Sequence, residues 1–335
     1  MSACAGGPSR HSSPATFTLG NAPLCQLPYH LLMSETDAIT SLLRTINRRG
    51  HVPASFWPRP ATLTPRDLGL HNDGMILRWH EPPDLLDANR IEQALPGLRV
   101  DYYPLIDSTN TRMMADGRQS SIAGRLYLAE YQYGGRGRRG RSWVSPYARN
   151  LSMSLGGTTA RQLSELGGLS IVVGVALASA LEQIGVSDVE LKWPNDILVD
   201  GRKLCGVLVE LLQRRAASEY VVGIGVNVDL SDAERGQINQ PVTDLRALGN
   251  ALSRTDLAIQ LMQTVSQYLA LFDQEGFSVF IDAFNDLHKY HQQSCEIIQG
   301  TDTFEGVVTG IGAQGELILD EDQRFHGGEV SLRSA

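Results

Sequence analysis

Cysteine, long apolar runs and an excess of positive charge are all scarce in this 335-residue chain, and each scarcity narrows what it can be. The four cysteines, Cys4, Cys25, Cys205 and Cys295, stand far apart with no Cys-x-x-Cys spacing, so neither a zinc site nor a disulfide framework is expected. No uninterrupted run of about 18 apolar residues offers a membrane span, and the N-terminal stretch lacks the apolar core of a secretory signal. A cytoplasmic protein without a membrane partner is therefore expected. The most apolar stretch, Leu166 to Leu181, is broken by glycines and serines and reads as a buried core helix. Lysine and arginine number 29 against 37 acidic residues, a net charge of −8, which argues against a protein that coats nucleic acid non-specifically. A local basic site can still sit on an acidic body. With 42% hydrophobic and 20% charged residues the composition is that of an ordinary globular protein, long enough for two or three domains.

One such basic site is written into Gly134-Gly135-Arg136-Gly137-Arg138-Arg139-Gly140-Arg141-Ser142-Trp143. Four glycines and four arginines in eight residues form no hydrophobic layer, and glycine disfavours both helix and strand, so the stretch reads as a loop. Glycines let backbone N–H groups approach an anion closely, while guanidinium forks bind phosphate or carboxylate oxygens in pairs. A polyanionic ligand is the first expectation. Gly135, Gly137 and Gly140 have the spacing of a dinucleotide fingerprint, yet Arg141 to Pro146 opens no helix and arginines fill the variable positions, which argues against a Rossmann site. A kinase glycine loop fails for want of its companion motifs. A solvated basic loop or an Arg/Gly nucleic-acid patch is the plain alternative.

A second constellation, Lys192-Trp193-Pro194-Asn195-Asp196 followed by Asp200-Gly201-Arg202-Lys203-Leu204-Cys205-Gly206, lies downstream, and Asp107-Ser108-Thr109-Asn110 lies upstream. Together these motifs resemble the biotin protein ligase family, in particular the bacterial bifunctional ligase/repressor type with a degenerate N-terminal region. The resemblance runs from about Leu105 to Ala335. It implies an α+β fold with a central mixed, largely antiparallel sheet and flanking helices, like a class II aminoacyl-tRNA synthetase, followed by a small SH3-like β-barrel. It implies ATP, Mg²⁺ and biotin as substrates and ion, with the Mg²⁺ held mainly by ATP, and a biotin carboxyl carrier protein as acceptor. A homodimer and a DNA operator are further partners that it admits, the second through a role as biotin-operon repressor. A lipoate ligase shares the fold but lacks this Arg-Gly loop followed by Lys-Trp-Pro-Asn-Asp.

Residue by residue, the resemblance assigns Ser108, Thr109, Asn110, Gln132, Arg136, Gly137, Arg138 and Lys203 to biotin. It assigns Arg138, Arg141, Lys192, Asn195 and Asn227 to ATP or the adenylate, and the catalytic work to Lys203, Asp196, Lys192 and Arg138. Physical chemistry suits these types. A ureido group has one acceptor and two donors that short hydroxyls and amides can satisfy in a buried pocket. Bringing a carboxylate to the α-phosphate of ATP joins two anions, so the site must supply cations. Transfer needs a neutral amine whose ordinary pKa is about 10.4, and Asp196 is the group to orient it and favour proton loss.

The rest of the chain is read in order. Residues 1–32, rich in small and polar types, are expected to be a disordered arm, with Met33 nearer the biological start. Residues 33–86 are expected to be a winged-helix-like but degenerate unit. Its first helix would start at Thr36 or Asp37 and bury Ile39, Leu42, Leu43 and Ile46, and a wing-like hairpin would span Leu68 to Trp79. Pro53, Pro58, Pro60 and Pro65 break any second or third helix. Arginines and carboxylates balance there, which gives no net pull on phosphate.

Residues 87–290 are expected to form the catalytic domain, with a long helix over Leu163 to Ile184 and another capped by Thr255. The stretch Asp229 to Asp244 is expected to be irregular; it contains no tryptophan, so what covers an adenine is left open. His288 and His291 are expected to be solvated and not metal ligands. Residues 291–335 supply the barrel.

Overall fold

The computed structural model describes residues 29–58, 61–213, 218–299, 301–320, 323–326 and 330–334. Cys4, Cys25 and nearly all of the expected arm lie outside them. Helix α1 (Tyr29–Arg49) forms because Ile39, Leu42, Leu43 and Ile46 recur on one face, and all four are buried. It begins several residues before the expected cap at Thr36 or Asp37. Nearby, the Glu35 carboxylate is committed to a distant loop, where it accepts from the backbone of Thr62 at 2.7 Å and Leu63 at 3.2 Å.

Strands β1 (His51–Pro53), β2 (Leu70–Asn72) and β3 (Ile76–Trp79) make an antiparallel sheet in the order β1-β3-β2. The β2–β3 turn has the local chemistry its sequence promises. Asn72 Oδ1 accepts from the Gly74 N–H, Asp73 Oδ1 accepts from Met75 and Ile76, and Gly74 takes φ 92°. Between β1 and β2 the described residues hold only two 3-10 turns, Ala54–Phe56 and Pro65–Leu68. No α-helix follows α1 among the described residues of this stretch, where the prolines were expected to break helices.

Helix α2 (Ala88–Ala94), capped by Asp87, leads through β4 (Arg99–Tyr103), α3 (Thr109–Gly117) and β5 (Arg125–Ala129) to the long strand β6 (Asn150–Thr159). After α4 (Leu169–Gln183) come β7 (Val189–Lys192), β8 (Asp196–Val199), β9 (Arg202–Gln213) and β10 (Ser218–Asn227). The seven-stranded sheet runs β4-β5-β6-β10-β9-β8-β7; only β4–β5 is parallel. This is the mixed, largely antiparallel sheet that was expected.

Helix α4 is buried along almost its whole length against α6 (Arg254–Glu275) and the sheet, so its apolar run is a core element. The expected single helix over Leu163 to Ile184 is divided, with a 3-10 turn at Leu163–Leu166 preceding α4. Gly167 and Gly168 stand at the division, where close packing requires glycine: a methyl at Gly168 would collide with the Phe277 ring, and one at Gly167 would come 2.9 Å from the Gln314 carbonyl. Helix α6 is capped by Ser253, whose hydroxyl accepts from Asp256, and not by Thr255, which is buried and accepts from the Asp87 N–H at 3.0 Å. The stretch before α6 is irregular apart from the short α5 (Asp232–Arg235).

One buried ion pair locks this body together. Arg254, 1% exposed, donates to Glu130 Oε2 at 2.5 Å, to the Asn150 carbonyl at 2.6 Å and to the Asp84 carbonyl at 2.7 Å. These three partners lie on different segments, so the segment before α2 is tied to two strand ends.

Helix α7 (Ile281–Leu287) joins a small all-β unit of β11 (Ser294–Gln299), β12 (Asp302–Ile311), β13 (Leu317–Leu319), β14 (Gln323–Phe325) and β15 (Val330–Ser334). These strands form one antiparallel sheet in the order β14-β13-β12-β11-β15.

Candidate active site

The Arg-Gly loop folds as a miniature hairpin. Arg136 bridges Ser142, the Gly137 N–H donates to the Arg141 carbonyl at 2.7 Å, and the Trp143 N–H donates to Gly135 at 2.8 Å. Gly135 is required by contact, since a methyl there would lie 2.5 Å from the Trp143 carbonyl. The hairpin closes over a cleft of about 640 Å³ at the sheet face.

All thirteen residues expected from the sequence border this one cleft: Ser108, Thr109, Asn110, Gln132, Arg136, Gly137, Arg138, Arg141, Lys192, Asn195, Asp196, Lys203 and Asn227.

At one end is a small polar pocket. Ser108 caps α3, which presents Thr109 and Asn110 inward. Gln132 Oε1 accepts from the Thr109 N–H at 2.8 Å, and Ser154 donates to Asn110 Oδ1 at 2.5 Å. The Asn110 amide nitrogen donates to the Leu208 carbonyl at 3.2 Å and to Glu210 at 3.1 Å. These short side chains are fixed by one another, a preorganised set of donors and acceptors. Arg136 reaches across the mouth to Glu210 at 3.2 Å and to the Thr111 hydroxyl at 3.2 Å.

At the other end cations dominate. Arg138, Arg139, Arg141, Lys192 and Lys203 line the cleft together with Arg136 at its mouth, and Asp196 is the one carboxylate among the described lining residues. Lys203 Nζ lies 2.7 Å from Asp196 Oδ1 and 5.7 Å from the centre of the Trp143 ring. Arg138 donates to Asn195 Oδ1 at 3.3 Å, and Asn195 in turn donates to the Val207 carbonyl at 2.8 Å. Burial is the first cause that pulls both Arg138 and Lys192 below their usual pKa. Arg139 and Arg141 add to the shift at Arg138, and Lys203, Lys289 and Arg141 add to it at Lys192. An arriving polyanion would favour the charged form of both.

Backbone geometry delivers these groups. The Asp200–Gly201 turn takes φ 50° and 68°, the two positive values a type I′ hairpin needs. A bulge then shifts the register so that Leu198 faces Lys203 while Ile197 faces Cys205. The extra residue, Leu204, turns Lys203 onto the same sheet face as Asp196 and Gly206, which is how bulges re-aim side chains.

Several cleft residues carry no signal strong enough to have been assigned. Trp143 lies over a glycine pair on adjacent strands: a methyl at Gly225 would come 2.5 Å from its ring, and one at Gly206 would come 3.4 Å from it. Its buried indole N–H has no partner among the described residues, a donor that a ligand could use. Gly223 makes room for Asn110 in the same way. The close approach at Gly223 and Gly225 is therefore made by site side chains. Ile238, Gln240 and Val242 cover the cationic end, on a segment bonded to the backbone of Lys203: its N–H donates to Pro241 at 2.9 Å and its carbonyl accepts from Thr243 at 3.0 Å. Asn227, 2% exposed, donates to the Thr243 carbonyl at 3.1 Å.

His288 corrects an expectation. It is 5% exposed instead of solvated, because the chain after α7 bridges the edge strand β7 at Leu191 and carries the ring inside. His291 is half-buried. No group of three His, Cys, Asp or Glu side chains suited to a metal exists among the described residues.

The chain is similar to known proteins over most of its length. Residues 102–227 match the description "Biotin/lipoate A/B protein ligase family", and residues 291–333 match "Biotin protein ligase C terminal domain". The chain is 38% identical over 259 residues to the bifunctional ligase/repressor BirA of Salmonella typhimurium, covering 76% of this chain and 81% of that one. It is 33% identical to a biotin–[acetyl-CoA-carboxylase] ligase of Paracoccus denitrificans, over 64% of this chain and 90% of that one. Its fold resembles the biotin protein ligase of Aquifex aeolicus in complex with biotin and ATP, with a TM-score of 0.59, 25% identity, and coverage of 71% and 99% of the two chains.

Proposed function

The chain belongs to the biotin protein ligase family, and on that premise we propose how its cleft joins biotin to ATP and then to a lysine of a biotin carboxyl carrier protein. The chain is a biotin–protein ligase. The observation that supports the stepwise reading best is one cleft that combines a small hydrogen-bonding pocket with six cations and one carboxylate.

In the first step the biotin carboxylate oxygen forms a bond to the α-phosphorus of ATP, the bond to the β-phosphate oxygen breaks, and pyrophosphate leaves. Ser108, Thr109, Asn110 and Gln132 hold the ureido ring, and Arg136 and Gly137 close the mouth over it. Lys203, Lys192, Arg138 and Arg141 offset the charge that accumulates on carboxylate and phosphate, which is electrostatic positioning. Asn195 and Asn227 stand on the nucleotide side. The described residues offer one cleft carboxylate, already paired with Lys203, so a Mg²⁺ ion would be held by the phosphates and would offset their charge. In the second step the carrier amine attacks the acyl carbon, the C–N bond forms, the acyl–phosphate bond breaks and AMP leaves. Asp196 orients the amine and draws its proton.

Residues 33–86 serve in this reading as a brace with a wing-like hairpin, 87–290 as the catalytic body, and 291–335 as the barrel beside it. Among the described residues of the N-terminal unit α1 is the sole α-helix, and the docking of a second helix in a major groove is not part of this reading. Incubation with ATP, Mg²⁺ and biotin, with and without a carrier domain, followed by mass spectrometry, tests the proposal. Biotinyl-AMP alone in the first case and a biotinylated carrier in the second are expected; neither product would overturn it.

A further inference from the structure

The strand end that bears Lys192 and Asn195 is held from outside by the C-terminal part of the chain, through one buried histidine. Strand β7 is the edge of the seven-stranded sheet, and its last backbone donor before Pro194 is the Trp193 N–H. No sheet partner takes that donor. It points at Nε2 of His288, 3.3 Å away. The Lys289 N–H donates to the Leu191 carbonyl at 2.9 Å, so residues 288–289 run beside β7 as a short extra edge. The Trp193 indole N–H donates to the Gly315 carbonyl at 2.9 Å, and Lys192 Nζ stands 5.9 Å from the centre of the Tyr290 ring.

These contacts leave the imidazole little freedom. It packs against Phe284 and Tyr290 at centroid distances of 5.1 and 6.0 Å, and its other nitrogen faces the Tyr290 N–H at 3.1 Å. A neutral imidazole has one acceptor nitrogen and an imidazolium has none, so only the neutral ring can serve one of these two backbone donors, and accepting from Trp193 at Nε2 takes the tautomer with the proton on Nδ1, which forgoes the Tyr290 N–H. An unmet buried donor would cost the full desolvation of an amide. Burial, followed by the like charges of His291 and Lys192, holds the ring neutral far below its usual range.

We propose that His288 is a positioning residue for the nucleotide half of the reaction: by accepting from the Trp193 amide it sets the strand end from which Lys192 and Asn195 reach the phosphates. The inference rests on the ligase reading and adds to it a residue that touches no substrate. The pocket of Ser108, Thr109, Asn110 and Gln132 is carried by α3 and the end of β5, away from β7, so biotin binding should be indifferent to His288.

The test is biotin-dependent ATP–pyrophosphate exchange in the full chain carrying His288→Phe or His288→Gln. Phenylalanine keeps a ring but offers no acceptor; glutamine restores one. His288→Phe is expected to raise KM for ATP about tenfold or more, with KM for biotin within twofold of the native value, and His288→Gln to recover most of the loss. A folded His288→Phe protein with native KM for ATP overturns the proposal, as do equal rises in both KM values. If His288→Phe does not fold, His288→Gln decides alone: native-like KM for ATP supports the acceptor role, and a tenfold rise overturns it. Absence of exchange in the native chain would instead be a failure of the ligase reading.

Discussion

Lys203 Nζ and Asp196 Oδ1 stand 2.7 Å apart, although the register opposes Asp196 to Gly206 and Lys203 to Leu198. In the proposed mechanism this pair would hold the cation of the first step and the carboxylate of the second together until substrate arrives. A phosphate competing for Lys203 would then free Asp196 at the stage when an amine must be oriented.

Removing either partner should therefore separate the two half-reactions. Lys203→Ala is expected to lower biotin-dependent pyrophosphate exchange by about a thousandfold, in line with loss of one preorganised charge. Asp196→Asn is expected to keep exchange within about tenfold while transfer from preformed biotinyl-AMP to a carrier domain falls by about a hundredfold or more. Comparable losses of both activities in Asp196→Asn would remove it from the second step.

Arg138→Ala takes away a half-buried guanidinium that reaches Asn195 beneath the Arg-Gly hairpin. Release of biotinyl-AMP, followed by stopped-flow fluorescence or filter retention, should quicken by about tenfold or more. An unchanged off-rate would separate this arginine from the intermediate.

Glycines beneath the ligand supply a steric test. Gly225→Ala would set a methyl 2.5 Å from the Trp143 ring and push that ring into the cleft. Gly223→Ala would displace Asn110. The first should weaken the adenylate and the second should weaken biotin itself, each by about tenfold or more in isothermal titration. The reverse ordering would misplace the two ends of the cleft.

Acid should destabilise the fold through His288. Its folded-state pKa is pushed down to about 3 from the ordinary 6.5, so the unfolded chain binds the extra proton first. The contribution is complete above pH 6.5 and declines as pH falls from 6.5 towards 3. The groups facing the ring are Lys192 from β7, Phe284 from α7, and Tyr290 and His291 beyond it. Urea unfolding should show native protein losing about 3 kcal/mol more than His288→Gln between pH 6.5 and pH 4. Parallel pH profiles for the two proteins would contradict it.

Much of the site was legible because its chemistry is local to short motifs. The Asp200-Gly201 turn specified a hairpin, the hairpin returned Lys203 towards Asp196, and the Arg-Gly run forms the loop that its glycines predict. Between β1 and β2, where the prolines were expected to break helices, the described residues hold two 3-10 turns. Other features depend on partners remote in sequence. Nothing near Leu204 announces the bulge that turns Lys203 inward. Gly167 and Gly168 look tolerable in a helix until Phe277 and Gln314 are packed on them. His288 looked solvated because its neighbours in sequence are polar, whereas its neighbours in space are the edge of β7 and two aromatic rings. Thr255 resembles a helix cap, but Ser253 reaches Asp256 first.

The ring of Trp79 on β3 stacks on Tyr147, with centroids 5.0 Å apart, and Leu105, Tyr131 and Tyr133 join the same apolar cluster as α1. A shortened enzyme cut just before Asp87 would uncover that greasy flank beside Gln132. Workers trimming the gene to a minimal ligase should plan for poor solubility, and should recolour the uncovered flank with polar side chains before judging the remainder by its turnover.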